Sequence, residues 1–170
     1  MKRTLCFVMA GLMAASLALG GCKKAGEKAA EKAIEEGMAR EGVKADVDVS
    51  GDKVTIKSEE GKAEFSGGKG ATVPADFPKD VYVYEGATVK AALTVPGGCN
   101  LILETGDGAD KVLSAIKGKM AANGWKEAMN LNQGGHSMVQ YRKGHRSAMV
   151  NIDGSGKTTT ITLTTTEEKG

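Results

Sequence analysis

Residues 107–125 read Asp-Gly-Ala-Asp-Lys-Val-Leu-Ser-Ala-Ile-Lys-Gly-Lys-Met-Ala-Ala-Asn-Gly-Trp and carry the strongest structural signal in the chain. Their apolar side chains recur at helical spacing and predict one buried stripe, formed by Val112, Leu113, Ile116 and Met120. Asp107 is placed to cap the first turn, and Gly124 suits the left-handed position after the last. We therefore expect a helix over 108–123, with Trp125 folded back over Met120.

On both sides of this helix the apolar period changes from 3.6 to 2, which is typical of strands. Glycine-containing turns separate these alternating runs, which span roughly 89–95, 99–105, 125–132, 137–143, 146–153 and the threonine-rich 157–166. The pattern predicts an α+β module over 74–166. Its expected form is an antiparallel sheet with one packed helix, in β-β-α-β-β-β order with the threonine-rich run as a further strand at the end.

Three smaller segments precede this module. Residues 22–42 are rich in Lys, Glu and Ala and predict a short amphipathic helix, with Ile34 and Met38 on the apolar face and Glu27 and Glu31 on the opposite one. Residues 43–66 alternate as a small β-meander, and residues 67–73 form a Gly-rich linker. A meander of this size cannot bury its apolar face alone, so we expect it to pack on the helix, on the next domain or on a partner.

The first 21 residues have the layout of a secretory signal peptide. Lys2 and Arg3 precede an apolar run from Leu5 to Leu19 that is too short for a spanning helix. Leu19-Gly20-Gly21-Cys22 then matches a bacterial lipobox, which predicts cleavage between Gly21 and Cys22 and attachment of acyl chains such as palmitate at Cys22. An ordinary signal peptide with an incidental cysteine is the alternative.

Composition excludes some classes of protein. The chain has 170 residues with 23 basic and 21 acidic side chains, and loss of Lys2 and Arg3 with the signal would balance them. Such a chain has no long-range attraction to polyanions, so we expect no nucleic-acid partner. The residue after Cys22 is Lys23 rather than the Asp that retains enterobacterial lipoproteins in the inner membrane. This favours the periplasmic face of the outer membrane if the host is Gram-negative.

Two motifs suggest ligands and fail on inspection. Asp46-x-Asp48-x-Ser50-Gly51 begins like a calcium loop, but Lys57 stands where a bidentate Glu is needed. Residues 154–158, Gly-Ser-Gly-Lys-Thr, end like a phosphate loop, but Asn151 replaces its first Gly and a β-type run follows. We therefore expect neither a metal nor a cofactor.

Catalytic groups are also few. His136 and His145 fall at opposite ends of one predicted strand, too far apart to share a metal. Cys99 begins an apolar strand and is expected to be a buried, inert thiol. No catalytic residue is predicted, although carboxylates brought together by the fold stay possible.

Two further clusters have a structural and a functional interpretation. Arg142, Lys143 and Arg146 form a basic group that could contact a phosphate or lipid headgroup, or could simply be a charged hairpin tip. Three methionines in neighbouring strands are expected to fill the core rather than to form a binding surface: Met129, Met138 and Met149.

The motifs together resemble those of a group of small bacterial lipoproteins with no assigned activity. The resemblance rests on the lipobox, on Pro-x-Asp-Phe-Pro-x-Asp-Val and Tyr-x-Gly-Ala within 74–87, and on the helix ending Asn123-Gly124-Trp125. Tyr82 departs from the Pro common in that group. More loosely, the β-β-α-β order is similar to helix-grip modules in lipoprotein subunits of the outer-membrane barrel-assembly machinery.

These observations favour a membrane-tethered, non-enzymatic interaction module that binds an envelope protein or the cell wall. A tethered small-ligand binder or sensor is the second hypothesis, and a hydrolase has the least support. An exposed apolar strip would favour the first, and an enclosed pocket with converging polar groups would favour the second.

Overall fold

The computed structural model describes residues 23–40, 42–59 and 61–167. The chain divides into two compact units, Met1–Phe65 and Ser66–Gly170. Helix α1 (Lys23–Arg40) is followed by strands β1 (Ala45–Ser50), β2 (Lys53–Ser58) and β3 (Gly61–Gly67), which lie side by side in that order. The last two residues of β3 fall beyond the end of the first unit. Strands β1 and β2 are antiparallel and pair Ala45 with Ser58. Because β1 stands first in the order of the described strands, it is an edge strand.

Helix α1 binds the free edge of β1 through a row of glutamates. The backbone N–H groups of Val47, Val49 and Gly51 donate to Oε1 of Glu35, Glu31 and Glu27 respectively, at 3.2, 3.0 and 3.0 Å. The spacings match, because four helical residues rise about 6 Å and two strand residues span about 6.6 Å. The acidic stripe therefore faces the strand. Glu27 and Glu31 are half-buried on the same side of the helix as Ile34 and Met38, so the prediction that they lie on the opposite face is wrong.

In the second unit, a short 3-10 turn (Gly68–Gly70) leads to a loop and then to six strands and one helix. These are β4 (Thr88–Val95), β5 (Gly98–Thr105), α2 (Ala109–Ala122), β6 (Lys126–Gln133), β7 (His136–Lys143), β8 (Arg146–Asp153) and β9 (Thr159–Glu167). The strands lie in the order β4-β5-β9-β8-β7-β6, and every neighbouring pair is antiparallel. Strand β9 is thus central, and β6 lies at an edge.

One face of this sheet forms the core with α2 and the loop before β4. Alternation along the strands turns Leu101, Leu163, Val150 and Val139 into one row of fully buried side chains, since each is paired with the next. Three helix residues and three loop residues are buried in the same cluster: Val112, Ile116 and Met120, and Phe77, Val81 and Tyr84.

The ends of α2 differ in how well the sequence predicts them. At the C-terminus, Gly124 has φ +81°, and the N–H groups of Gly124 and Trp125 donate to the carbonyls of Ala121 and Met120. This is the expected left-handed ending. At the N-terminus the cap residue is Gly108 and makes no side-chain capping bond. The prediction that Asp107 caps the helix is wrong, because its carboxylate binds Tyr84 and Lys111 instead.

The predicted fold class is also wrong. Among the described residues the protein is mostly β, with 49% in strands and 23% in helices, and the nine strands and two α-helices found there do not follow the expected α+β order. Four strands come after α2, and the last of them, β9, lies in the threonine-rich run that the sequence predicts as a further strand. β-Branched side chains favour a strand in this run, and its alternating Ile161 and Leu163 fill the middle of the core face.

Candidate functional site

Asp80 is the centre of a charged cluster at one end of the second unit. Turns closed by Phe77 N–H on the Pro74 carbonyl and by Val81 N–H on the Pro78 carbonyl, both at 3.1 Å, fix its position. Its two carboxylate oxygens accept bonds from the two terminal guanidinium nitrogens of Arg146, at 2.8 and 2.6 Å. The ammonium of Lys143 donates to the same carboxylate at 2.7 Å.

This arrangement lowers the pKa of Asp80 well below its usual range. The hydrogen bond from Arg146 is the main cause, and the bond from Lys143 adds to it against the opposing effect of desolvation. Lys143 and Arg146, which were candidates for binding a phosphate, therefore already share one carboxylate within the fold, which offsets one of their two positive charges. Arg142, the third member of that basic group, is exposed.

The backbone of Asp80 is bound as firmly as its side chain. Its carbonyl accepts the indole N–H of Trp125 at 2.8 Å and the side-chain amide of Asn123 at 3.0 Å. The guanidinium of Arg146 also lies 5.1 Å from the centre of the Trp125 ring. Two motifs that suggested a family resemblance, the Asp-Phe-Pro-x-Asp segment and the Asn-Gly-Trp helix end, are thus in contact with each other.

A shallow cavity of about 180 Å³ lies beside this cluster. Its walls include Trp125, Arg146, Cys99, Ser147 and Thr166. The hydroxyls of Ser147 and Thr166 bind each other at 2.7 Å. Burial raises the pKa of the Cys99 thiol, which lies 3.5 Å from the Thr94 hydroxyl. The thiol is therefore protonated at neutral pH and is not activated as a nucleophile.

Neither histidine lies in this cavity's wall. His136 begins β7, where its Nδ1 lies 3.4 Å from a carboxylate oxygen of Asp153, and both side chains are exposed. His145 is exposed in the turn between β7 and β8. Within the described ranges, no three His, Cys, Asp or Glu side chains come together as a metal site, and Asp48 of the calcium-like motif binds Ser50.

Strand β6 presents a second candidate surface. All eight of its residues are exposed, and its outer edge has no neighbouring strand among the described residues of the sheet. Met129 and Leu131 lie on the face turned away from α2, with 38% and 57% of their surface exposed. The prediction that Met129, Met138 and Met149 fill the core is wrong, since none of them belongs to the buried cluster.

The sequence contained a signal for this surface that the strand alternation alone did not reveal. In β6 the apolar Met129 and Leu131 share one face, whereas Asn130 and Asn132 lie on the other. Pairing with β7 puts the two asparagines beside buried Val139 and Ser137, on the side where β5 carries Leu101 and Leu103. Asparagines at the core-facing positions therefore indicate an exposed strand.

The predicted lipid-attachment and cleavage residues, Cys22 and Gly21, lie outside the described residues. Among the helices that are described, none is both long and apolar enough to cross a membrane. No protein-family model matches this chain, and no curated protein or solved structure shows significant similarity to it.

Proposed function

We propose that the protein is a lipid-anchored module of the bacterial cell envelope that binds a partner protein and has no catalytic step of its own. Leu19-Gly20-Gly21-Cys22 is the basis for the anchor. In a Gram-negative host the module is held at the periplasmic face of the outer membrane. The partner is another envelope protein rather than a nucleic acid, because acidic and basic side chains nearly balance.

The observation that carries the proposal is the open edge of β6. An unpaired strand edge offers a row of backbone N–H and C=O groups to an incoming strand, and exposed apolar side chains beside it add contact area. Met129 and Leu131 supply those side chains. Soluble proteins usually protect such edges, and here the lysine at the start of β6 and the bulge between Glu127 and Met129 protect only one end.

The cavity beside Trp125 favours a second candidate, a tethered binder of a small polar ligand. Its volume of about 180 Å³ is smaller than the roughly 300–1,000 Å³ of typical small-molecule pockets. The guanidinium of Arg146 that borders it is already bound to Asp80. We therefore rank this function below partner binding, and a hydrolase below both.

The anchor is tested by fatty-acid labelling. We expect Cys22→Ala to abolish labelling and to leave unprocessed precursor, because the thiol is the acceptor for the lipid. The matched control is Cys99→Ser, since Cys99 is a buried thiol on the core face. Labelling that persists in Cys22→Ala contradicts the anchor.

Partner binding is tested by complementation of a deletion strain with Asn130→Pro. Proline at an edge position removes one outward N–H and is tolerated by the rest of the sheet. We expect this variant to fold but to complement poorly, whereas His145→Ala, an exposed turn substitution, complements fully. Full complementation by folded Asn130→Pro contradicts the proposal, and so does full complementation by a soluble, unanchored form.

A further inference from the structure

The hairpin turn between β6 and β7 fixes which backbone groups of β6 are free. Gly134 and Gly135 have φ of 60° and 87°, the signature of a tight two-residue turn, and Gln133 pairs with His136 across it. The residues that flank such a turn exchange hydrogen bonds, and pairs then alternate along the ladder. The N–H and C=O groups of Asn130 and Asn132 therefore point away from β7, toward the open edge.

The side chains of β6 have an alternation of their own. Met129 pairs with Gln140 and Leu131 with Met138, so both apolar residues lie on the face opposite to buried Val139. Residues 128–133, Ala-Met-Asn-Leu-Asn-Gln, carry no charge. An incoming strand thus meets outward hydrogen-bonding groups at the asparagines and apolar side chains at the positions between them.

We infer that the strand that pairs with this edge is β6 of a second copy of the chain, antiparallel, with Asn130 opposite Asn130. This inference rests on the proposed function, and it identifies the partner. In this register the free groups of the two Asn130 residues bind each other. Met129 of each copy then lies opposite Leu131 of the other, on the same face, as cross-strand apolar pairs require.

Registers shifted by one residue are excluded by the same alternation, and a shift by two that places Asn130 opposite Asn132 would set Met129 against polar Gln133 instead of Leu131. If Asn130 lay opposite Met129 or Leu131, a residue whose backbone groups point to the open edge would meet one whose backbone groups point to β7. Side chains from opposite faces of the sheet would then be paired. The chosen register also opposes no like charges, because it places Glu127 near neutral Gln133 of the second copy. The edge is therefore complementary to itself.

The size of this contact predicts where the dimer forms. The bulge leaves a regular run of only 129–133 on each side, whereas a standard stable interface has about 20–30 residues a side. Strand pairing of this length is weak in solution. Anchoring at Cys22 would confine copies to one membrane surface and raise their effective concentration, so we expect dimers on the membrane and monomers in a soluble form.

Disulfide cross-linking in membranes of cells that express the full chain tests the register. In a hydrogen-bonded antiparallel pair the Cα atoms lie about 5.5 Å apart, within reach of a disulfide. Asn130→Cys should therefore shift to a dimer band under mild oxidation. Asn132→Cys is the matched control, because in this register the two copies of residue 132 lie about 13 Å apart along the strands. The wild-type chain, with buried Cys99, gives the background.

The outcomes separate this inference from the proposed function. A dimer band for Asn130→Cys alone, present in membranes and absent from the soluble form, supports the inference. Equal bands for Asn130→Cys and Asn132→Cys, or no band for either, overturn it. If no band forms but Asn130→Pro still fails to complement, the β6 edge binds a different protein, so the inference falls and the proposed function stands.

Discussion

At the scale of single residues, Asp80 joins three segments that are distant in sequence. Its side chain binds Lys143 and Arg146 of the β7–β8 hairpin, and its carbonyl binds Trp125 and Asn123 at the end of α2. A partly buried carboxylate needs such partners, because losing water without gaining hydrogen bonds is costly. The basic residues were visible in the sequence, but their acidic partner lies more than sixty positions away, where no local pattern predicts it.

Replacing Asp80 with asparagine should destabilise the protein. Asp80→Asn leaves the guanidinium of Arg146 and the ammonium of Lys143 without their counter-charge. The hydrogen bonds that the main-chain carbonyl of residue 80 accepts from Trp125 and Asn123 remain. We expect a loss of about 1–2 kcal/mol, the lower part of the range for hydrogen bonds to charged groups because the site is partly exposed and screened by solvent. Urea unfolding measures it. Asp76→Asn, an exposed neighbour, should change stability little, and equal losses would contradict the assignment.

The stabilisation by Asp80 should depend on pH in a defined direction. The pKa of Asp80 is lowered in the folded protein by its bonds to Arg146 and Lys143. The contribution is therefore complete above the unfolded value of about 3.9 and is lost as pH falls below it toward the folded value. The stability difference between wild type and Asp80→Asn should be constant from pH 5 to pH 7 and should shrink below about pH 4. A difference that grows on acidification would contradict this.

At the scale of elements, the glutamate row of α1 should protect the edge of β1. The triple substitution of Glu27, Glu31 and Glu35 by Ala removes the three acceptors but favours the helix itself, since Ala has the highest helix propensity. We expect the amides of Val47, Val49 and Gly51 to exchange hydrogen faster, by about fivefold for each kcal/mol by which the free energy of opening the β1 edge falls. Glu36→Ala, on the exposed face of the same helix, is the control. Unchanged exchange in the triple variant would show that the carboxylates do not hold the edge.

The start of α2 is constrained by a glycine in the β8–β9 connection. A Cβ atom at Gly154 would lie 2.7 Å from Cβ of Ala109, closer than side chains approach, whereas Gly156 has only ordinary contacts. Gly154→Ala should therefore cost about 1–3 kcal/mol, as overpacking does, while Gly156→Ala should cost little. Thermal unfolding of the two variants compares them. Equal stability of the two variants would mean that α2 can move away from the added methyl group without loss of stability.

The sequence predicts individual helices and strands better than it predicts which strands pair with each other. Helix α2 and its left-handed ending follow from a short-range pattern, because spacing of apolar residues and a glycine at one position suffice. The place of β9 between β5 and β8 depends on pairing between residues such as Leu101 and Leu163, which periodicity does not encode. The same limit hid the open edge of β6, because an edge is defined only when the order of all strands is known.

At the scale of the whole molecule, the second unit should fold by itself. Its core draws on strands, α2 and the loop that contains Phe77, all within Ser66–Gly170. A fragment of residues 66–170 should unfold in one cooperative transition on heating. Met120→Ala in that fragment should lower its stability by about 2–5 kcal/mol, because a fully buried side chain leaves a cavity. A soluble fragment with no transition would show that the first unit completes the core.

The central position of β9 has a consequence for how the chain is delivered. Strands β5 and β8 both pair with β9, and β9 follows them in the sequence. A chain that emerges N-terminus first, from a ribosome or through a membrane pore, therefore cannot close this sheet until residues 159–167 are free. Closure also waits for β5 to meet a strand some sixty residues later, which slows folding. Because β9 emerges last, the sheet of the second unit stays incomplete until almost the whole chain has left the ribosome or the pore, and until then the chain can still pass through as an unfolded segment.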